Sequence, residues 1–316
     1  MTKRILISTI IPSYNRADTV GQTIESILAQ QVDADMEIVI GDDCSTDNAR
    51  EVLLYYKEKY PDIIRLIFHE HNMGLGANWA TCVKACKGKY ICNCDNDDYW
   101  HNPHKLQLQT DYMESHPDSN ILMTDWRDLE RHTGRTKDEK AYFDRQVSPQ
   151  NAIMWGHYHI CNATIMYRAD FLKANVNLDD YIRCQFTLQD WNTWVILCAK
   201  TTFDILPVST ATMCRDSESI TRPKTYEQLT KRLLKEKECV EYLGELFPQY
   251  RLAEGEWDEL MARRLLDLAY KRKEYKHAHK YALQIGTKSL KTVCAKTSIG
   301  FILYLLLRKM RRLCTR

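Results

Sequence analysis

No stretch of this 316-residue chain stays apolar for the ~20 residues that a helix needs to cross a bilayer. The run at 299–307 stops after nine residues at a basic cluster. Pro12 interrupts the apolar N-terminal stretch, and no small-residue cleavage pattern follows it, so a secretory leader is not expected and the protein should stay in the cytoplasm. The 12 cysteines include no C-x-x-C pair, which argues against a zinc framework. Scattered through periodic segments, with Cys92 and Cys94 in one apparent strand, they suit reduced core thiols better than disulfides. No phosphate-loop lysine motif and no G-x-S-x-G nucleophile signature occurs. GLGANWA (74–80) lacks the third glycine of a dinucleotide fingerprint and follows the third apparent strand, not the first. His69 and His71 in HEHN would alternate to opposite faces of a strand, which disfavours a shared metal. Nor does one sign of charge dominate, since the formal net charge is +2. Lys291, Lys296, Arg308, Lys309, Arg311, Arg312 and Arg316 crowd the last residues with no acid among them, leaving the rest net negative. A nucleic-acid surface is therefore not expected.

What the chain does have is alternation. ILISTII (5–11), MEIVIGDD (36–43), IIRLIFHE (63–70) and KYICNCD (89–95) have the composition of buried strands. Between them apolar residues recur at helix spacing: Val20, Ile24, Ile27 and Leu28, then Val52, Leu53 and Tyr56, then Ala80 and Val83. Strand and helix in strict alternation predict right-handed crossovers and a mainly parallel, Rossmann-like α/β sheet flanked by helices. Apolar runs at 120–126, 162–168 and 201–213, separated by a polar stretch at 128–140, suggest mixed structure closing over the sheet. From Tyr226 onward leucines at helix spacing, broken near Pro248, predict a helical appendage. The expected division is 1–220, itself split at about residue 100, followed by 221–316.

Ligands of parallel sheets bind beyond the carboxyl ends of the strands, and every sharp polar motif falls at such an end. PSYN follows the first strand, DDCSTD the second and DNDD the fourth. Clustered carboxylates repel one another unless a cation or a donor group occupies them. Asp95, Asn96, Asp97 and Asp98 supply the oxygen ligands that Mg²⁺ or Mn²⁺ prefers, with substrate phosphates completing the shell. An Asp-rich turn held by its own hydrogen bonds is the alternative.

Taken together, IIPSYNR (10–16), GDDCSTD (41–47), NMGLGANWA (72–80), GKYICNCDNDDYW (88–100) and LQDWNTW (188–194) resemble the family 2 glycosyltransferases over about residues 5–215. That resemblance implies the GT-A fold, with a nucleotide-binding half at 1–100, an acceptor-binding half at 101–220, a nucleotide-sugar donor and a divalent cation, Mn²⁺ or Mg²⁺. It places Pro12, Tyr14 and Asn15 against the nucleobase, Asp42 and Asp43 on the base, usually uracil, and Asn78 among the donor-binding residues. Asp95 would contact ribose with Asn96 beside it, Asp97 would hold the metal, and Asp98 would support that shell. Asp190 matches the family's catalytic base, with Gln189 where glutamate is usual, and implies inversion; a helix cap is the plainer role for an aspartate there. Cys44 stands where glycine is common after the two aspartates, which leaves that turn open. Arg215, in MCRDSESITR, would clamp the diphosphate or else be a surface arginine.

The expected activity is transfer of a hexose or N-acetylhexosamine from a UDP-sugar to a hydroxyl of a glycan or lipid-linked oligosaccharide, for a bacterial surface polysaccharide. A sugar nucleotidyltransferase would need a Gly-rich basic loop where PSYN stands; a noncatalytic nucleotide-binding protein is the other alternative. The basic, apolar tail within 291–316 suits either a helix on the cytoplasmic face of the inner membrane or one packed on the domain.

Overall fold

The computed structural model describes residues 6–144, 146–154, 156–215 and 225–285. The chain divides into two compact units, 1–218 and 219–316. In the first, strands and helices alternate as β1 (Leu6–Ser13), α1 (Val20–Leu28), β2 (Asp35–Asp42), α2 (Ala49–Lys59), β3 (Ile64–Phe68), α3 (Leu75–Ala85) and β4 (Tyr90–Asn93). The pairs β1–β2, β2–β3 and β1–β4 are all parallel. Because β2 and β4 flank β1 on opposite sides, the winding reverses at β1 and opens a crevice beyond the carboxyl ends of β1 and β4.

The rest of the unit adds β5 (Tyr99–Trp100), α4 (Lys105–Ser115), β6 (Ile121–Glu130), β7 (Arg135–Glu139), β8 (Tyr142–Phe143), α5 (Pro149–Met154) and β9 (Tyr158–His159). A 3-10 turn (Asn162–Thr164), β10 (Met166–Arg168), α6 (Ala169–Asn175), α7 (Leu178–Cys184), α8 (Gln189–Leu197) and β11 (Asp204–Arg215) follow. The sheet order is β3-β2-β1-β4-β10-β6-β11-β5, with β7 beside β6, and β8 pairs with β9 apart from it. β10 runs antiparallel to both β4 and β6. It therefore enters at the edge where β4 leaves, and the 3-10 turn leading into it arrives at the crevice.

Burial on both faces explains why the parallel strands read as unbroken apolar runs. Ile7, Ile10 and Ile11 of β1 and Ile38, Val39 and Ile40 of β2 are fully buried, each side chain contributing roughly 1.5–3 kcal/mol. Pro12 extends β1 without harm, because pairing with β4 ends at Ile10 and no ladder bond on that side needs its missing N–H. Two sequence expectations change. The polar stretch at 128–140 is the β6–β7 hairpin, whose charges pair across strands, as Arg127 Nε does with Asp138 Oδ1 at 2.9 Å. The third strand ends at Phe68, so His69 and His71 lie beyond it and do not alternate.

Glycine-rich GLGANWA is a packing device. A Cβ on Gly76 would stand 2.3 Å from the Phe186 carbonyl oxygen, in the link between α7 and α8, so glycine is what lets α3 approach that backbone.

The second unit comprises α9 (Tyr226–Leu246), a 3-10 turn (Pro248–Tyr250), α10 (Glu256–Arg272) and α11 (Tyr275–Ala282). Thr225 and Gln228 form a reciprocal capping box at the start of α9. Leu229, Leu233 and Leu243 of α9 and Leu265, Leu266 and Tyr270 of α10 are buried, which gives the leucine spacing its cause. Among the described residues no helix is long and apolar enough to cross a membrane. The basic tail at 291–316 lies outside the described residues.

Candidate active site

β1 delivers its chain to a bend at Asn15, which has φ of 49°, a left-handed conformation that asparagine tolerates. Asn15 works as a staple: its backbone N–H donates to Ser45 Oγ at 3.0 Å, and its Oδ1 accepts the Thr46 N–H at 2.7 Å. Asp47 adds a second tie by accepting the Ala17 N–H at 2.9 Å. The loops after β1 and β2 are thus bonded into one layer, with Tyr14 left 44% exposed at the bend.

The paired aspartates of β2 are not equivalent. Asp42 is fully buried; its Oδ2 accepts from Arg50 Nε at 2.6 Å, whereas its Oδ1 makes no hydrogen bond among the described residues. A buried acceptor without a donor costs ~1–3 kcal/mol, so Oδ1 suits an N–H brought by a ligand. Asp43 has both oxygens engaged, accepting the amides of Met73 at 2.7 Å and Gly74 at 2.9 Å, and so fixes the turn from which α3 starts. Cys44 adopts φ of 61°, so the turn keeps the left-handed form that glycine would favour. Asn78 is 1% exposed. Its Nδ2 donates to the Gly41 carbonyl at 2.8 Å and its Oδ1 meets His69 Nε2 at 3.1 Å, which ties α3 to β2.

The acidic loop after β4 closes where Asp98 N–H donates to the Asp95 carbonyl at 3.0 Å. Helix α1 grips it from one side: Thr19 Oγ1 donates to the Asn96 carbonyl at 2.8 Å, and Thr23 Oγ1 to that of Asp98 at 2.7 Å. Arg131 Nη2 donates to the Asp97 carbonyl at 2.6 Å. Asn96 Nδ2 reaches Ser13 Oγ at 3.3 Å, joining this loop to the end of β1. The Asp97 carboxylate lies 3.8 Å from the Arg16 guanidinium, and its side chain is 28% exposed. Asp98 is buried and accepts the Cys214 N–H at 2.8 Å, so it anchors the loop to β11. Arg215, at the end of that strand, gives both Nε, at 2.6 Å, and a second guanidinium nitrogen to Asp128.

Asp190 sits inside the first turn of α8, whose N-cap position belongs to Leu188, and its Oδ1 accepts the Trp191 N–H at 2.7 Å. Its charge reaches Asp95. Burial, then the negative charges of Asp97 and Asp190, push the Asp95 carboxyl up to about 7, against the N–H of Asn162, which lowers it. Burial and the charges of Asp95 and Asp97 hold the Asp98 carboxyl well above its ordinary value as well. Residues from β4, α8 and the turn before β10 therefore share one electrostatic site.

Crowded hard oxygens of this kind fit a divalent cation, because a cation removes the repulsion that raises these carboxyls. Among the described residues no group of three or more His, Cys, Asp or Glu side chains is arranged to hold a metal. A cation at Asp97 would complete its shell with ligand oxygens, the arrangement Mg²⁺ and Mn²⁺ commonly adopt.

Residues of the site that the sequence does not single out include Arg16, Arg50, Thr19, Thr23, Arg131 and Asn162. Thr19 and Thr23 had a usable signal, since hydroxyls at i and i+4 share a helix face. Asn162 lay in a segment with the pattern of a strand, and Arg131 in one with the pattern of a loop.

A profile of the family described as Glycosyl transferase family 2 matches residues 8–175. The putative teichuronic acid biosynthesis glycosyltransferase TuaG of Bacillus subtilis is 36% identical over 108 residues, covering 34% of this chain and 42% of that one. Matched stretches span 15% to 65% of the length of the curated relatives. Among solved structures, S. aureus TarS 1–349 in complex with UDP-GlcNAc superposes with a TM-score of 0.54 at 18% identity, covering 97% of this chain and 91% of that one. The mannosyltransferase PcManGT from Pyrobaculum calidifontis, in complex with GDP-Man and Mn²⁺, gives 0.57 at 14% identity, covering 100% and 82%. The fold of the chain is GT-A, with a helical C-terminal region.

Proposed function

Because this chain belongs to glycosyltransferase family 2, we propose that it transfers a hexose or N-acetylhexosamine from a UDP-sugar to a hydroxyl of a glycan or lipid-linked oligosaccharide, with inversion, during cell-surface polysaccharide assembly. The observation that carries this reading is that Asp190, far from Asp95 in sequence, lies near enough for its charge to raise the Asp95 carboxyl. The likeness to TuaG supports the polysaccharide setting, and the nucleotide sugars bound by TarS and PcManGT support the donor class.

In this reading the exposed Tyr14 ring, with Pro12 and Asn15 behind it, lies against the base, and Asp42 Oδ1 accepts a base N–H. Asp43 and Asn78 hold the walls of that pocket through their bonds to α3 and β2. Asp95 orients the ribose, with Asn96 fixing the loop against Ser13. A divalent cation, Mn²⁺ or Mg²⁺, held by Asp97 and backed by Asp98, would supply Lewis-acid stabilisation to the departing diphosphate. Arg215 would join the diphosphate by exchanging Asp128 for phosphate oxygens. Asp190 takes the proton of the acceptor hydroxyl as its oxygen bonds to the anomeric carbon and the sugar–phosphate bond breaks on the opposite face. An aspartate is a weak base, so the proton moves late, when the attacking oxygen has become acidic.

The test is UDP release from a panel of UDP-sugars with and without Mn²⁺. Release that needs the cation, and that falls by about 10³-fold or more in both Asp97→Ala and Asp190→Asn, is the expected outcome. Undiminished release under chelation would refute the cation's role, and undiminished release in Asp190→Asn would refute the base.

A further inference from the structure

A line of hydrogen bonds runs from the core to Asp95 and ends on one of its two oxygens. Trp79 Nε1, on α3, donates to Asn93 Oδ1 at 3.2 Å. Asn93 Nδ2, at the end of β4, donates to Asn162 Oδ1 at 2.9 Å. Asn162 Nδ2, in the turn before β10, donates to Asp95 Oδ1 at 3.2 Å. Trp79 and Asn93 are each only 2% exposed, so little water competes for these bonds.

The chemistry of the two ends fixes the orientation of both amides. An indole N–H only donates, so Asn93 must turn its oxygen to Trp79 and its NH₂ to Asn162. Asn162 must then present its oxygen to Asn93 and its NH₂ to the carboxylate, which accepts. Turning either amide over would set donor against donor at one end or oxygen against carboxylate oxygen at the other. The line therefore delivers N–H groups in a single direction. Trp79 is itself held by Tyr181 of α7, with ring centroids 5.5 Å apart, and Asn93 also reaches the Tyr167 hydroxyl, which accepts Trp194 Nε1 at 2.8 Å.

We propose that Asn162 is a positioning residue: it occupies Asp95 Oδ1, leaves Oδ2 for the ribose beside the cation held by Asp97, and owes its own orientation to Trp79 through Asn93. This rests on the donor site proposed above. Neither Asn162 nor Trp79 touches the reacting atoms, so their influence passes wholly through Asp95.

The experiment uses the full chain and titrates Mn²⁺ into protein saturated with UDP, by calorimetry, alongside thermal unfolding. Asn162→Ala is expected to weaken Mn²⁺ in the UDP complex by about 10-fold or more, the usual consequence of removing a group that orients a carboxylate beside a metal site. Asn162→Asp should be worse, since it adds a negative charge and cannot donate. Trp79→Phe keeps an aromatic ring and removes only the N–H; roughly threefold weakening is expected. The decisive variant combines Trp79→Phe with Asn162→Ala, because a relay predicts that the indole no longer matters once Asn162 is gone. Affinity equal to that of Asn162→Ala alone supports the relay. Multiplying losses, or wild-type affinity in both single variants, overturn it, as does lowered thermal stability with unchanged affinity. Failure of the wild-type protein to bind Mn²⁺ and UDP together would instead remove the donor-site reading, and this proposal with it.

Discussion

Asp95 shows how a single carboxylate registers its whole surroundings. In the folded protein its proton is held up to a pH of about 7, whereas an unfolded aspartate loses it near ~4. The folded state thus binds more protons than the unfolded state between those values, so this group's contribution is full below about 4 and is lost as pH rises to about 7. A cation held by Asp97 favours the ionised form of the neighbouring Asp95 and so drives that proton off. Manganese binding is therefore expected to release more protons at pH 6 than at pH 8, which calorimetry in buffers of different ionisation heat will reveal; equal release at both would contradict it. A second expectation concerns Cys44, whose φ of 61° strains any residue with a Cβ. Cys44→Gly should stabilise the protein by about 1 kcal/mol, read as a higher denaturant midpoint at unchanged slope. At this scale the sequence shows which side chains are acidic but not which oxygens are already engaged. Asp42 and Asp43 look alike in the string, yet one keeps a buried oxygen without a donor while the other clasps the amides of Met73 and Gly74.

Among the elements, α3 and β10 show what periodicity can and cannot reveal. The parallel strands were legible because burial on both faces leaves an unbroken apolar run, as in Ile38, Val39 and Ile40. β10 has three residues and runs backwards, and nothing in MYR encodes direction; pairing with β4 and β6 decides it. The β6–β7 hairpin was missed because its polarity matches that of a loop, its order coming from cross-strand ion pairs. At the start of α3 the missing third glycine already speaks against a phosphate cradle, and the neighbours of Gly76 show what the glycine does instead. Gly76→Ala would improve intrinsic helix propensity, but it drives a Cβ to 2.3 Å from the Phe186 carbonyl. It should cost about 1–3 kcal/mol, with a lowered melting temperature as the measurement. A gain in stability would show that the approach of α3 to that backbone is not tight.

For the molecule as a whole, thiols offer a reading of burial. Of the described cysteines, Cys44 and Cys184 keep some solvent access and the other eight are buried. Burial pushes the Cys94 and Cys161 thiols well up, and Cys198 up to about 12, which slows thiolate chemistry further. Mass spectrometry after brief alkylation should therefore find Cys44 and Cys184 modified in the native protein, and the buried eight only after unfolding. UDP with Mn²⁺ should slow Cys44, beside the paired aspartates, and leave Cys184 unchanged. The sheet, the flanking helices and the helical C-terminal region followed from alternation and leucine spacing, whereas the traffic between loops, such as Asn15 with Ser45 or Asp98 with Cys214, needed the folded chain. The excursion carrying β8, α5 and β9 departs after β7 and returns through the turn before β10, and β6 and β10 are hydrogen-bonded neighbours. Its two stems are thereby sutured by the sheet itself, so a change of length inside it should leave the pairing of β6 with β10 in register.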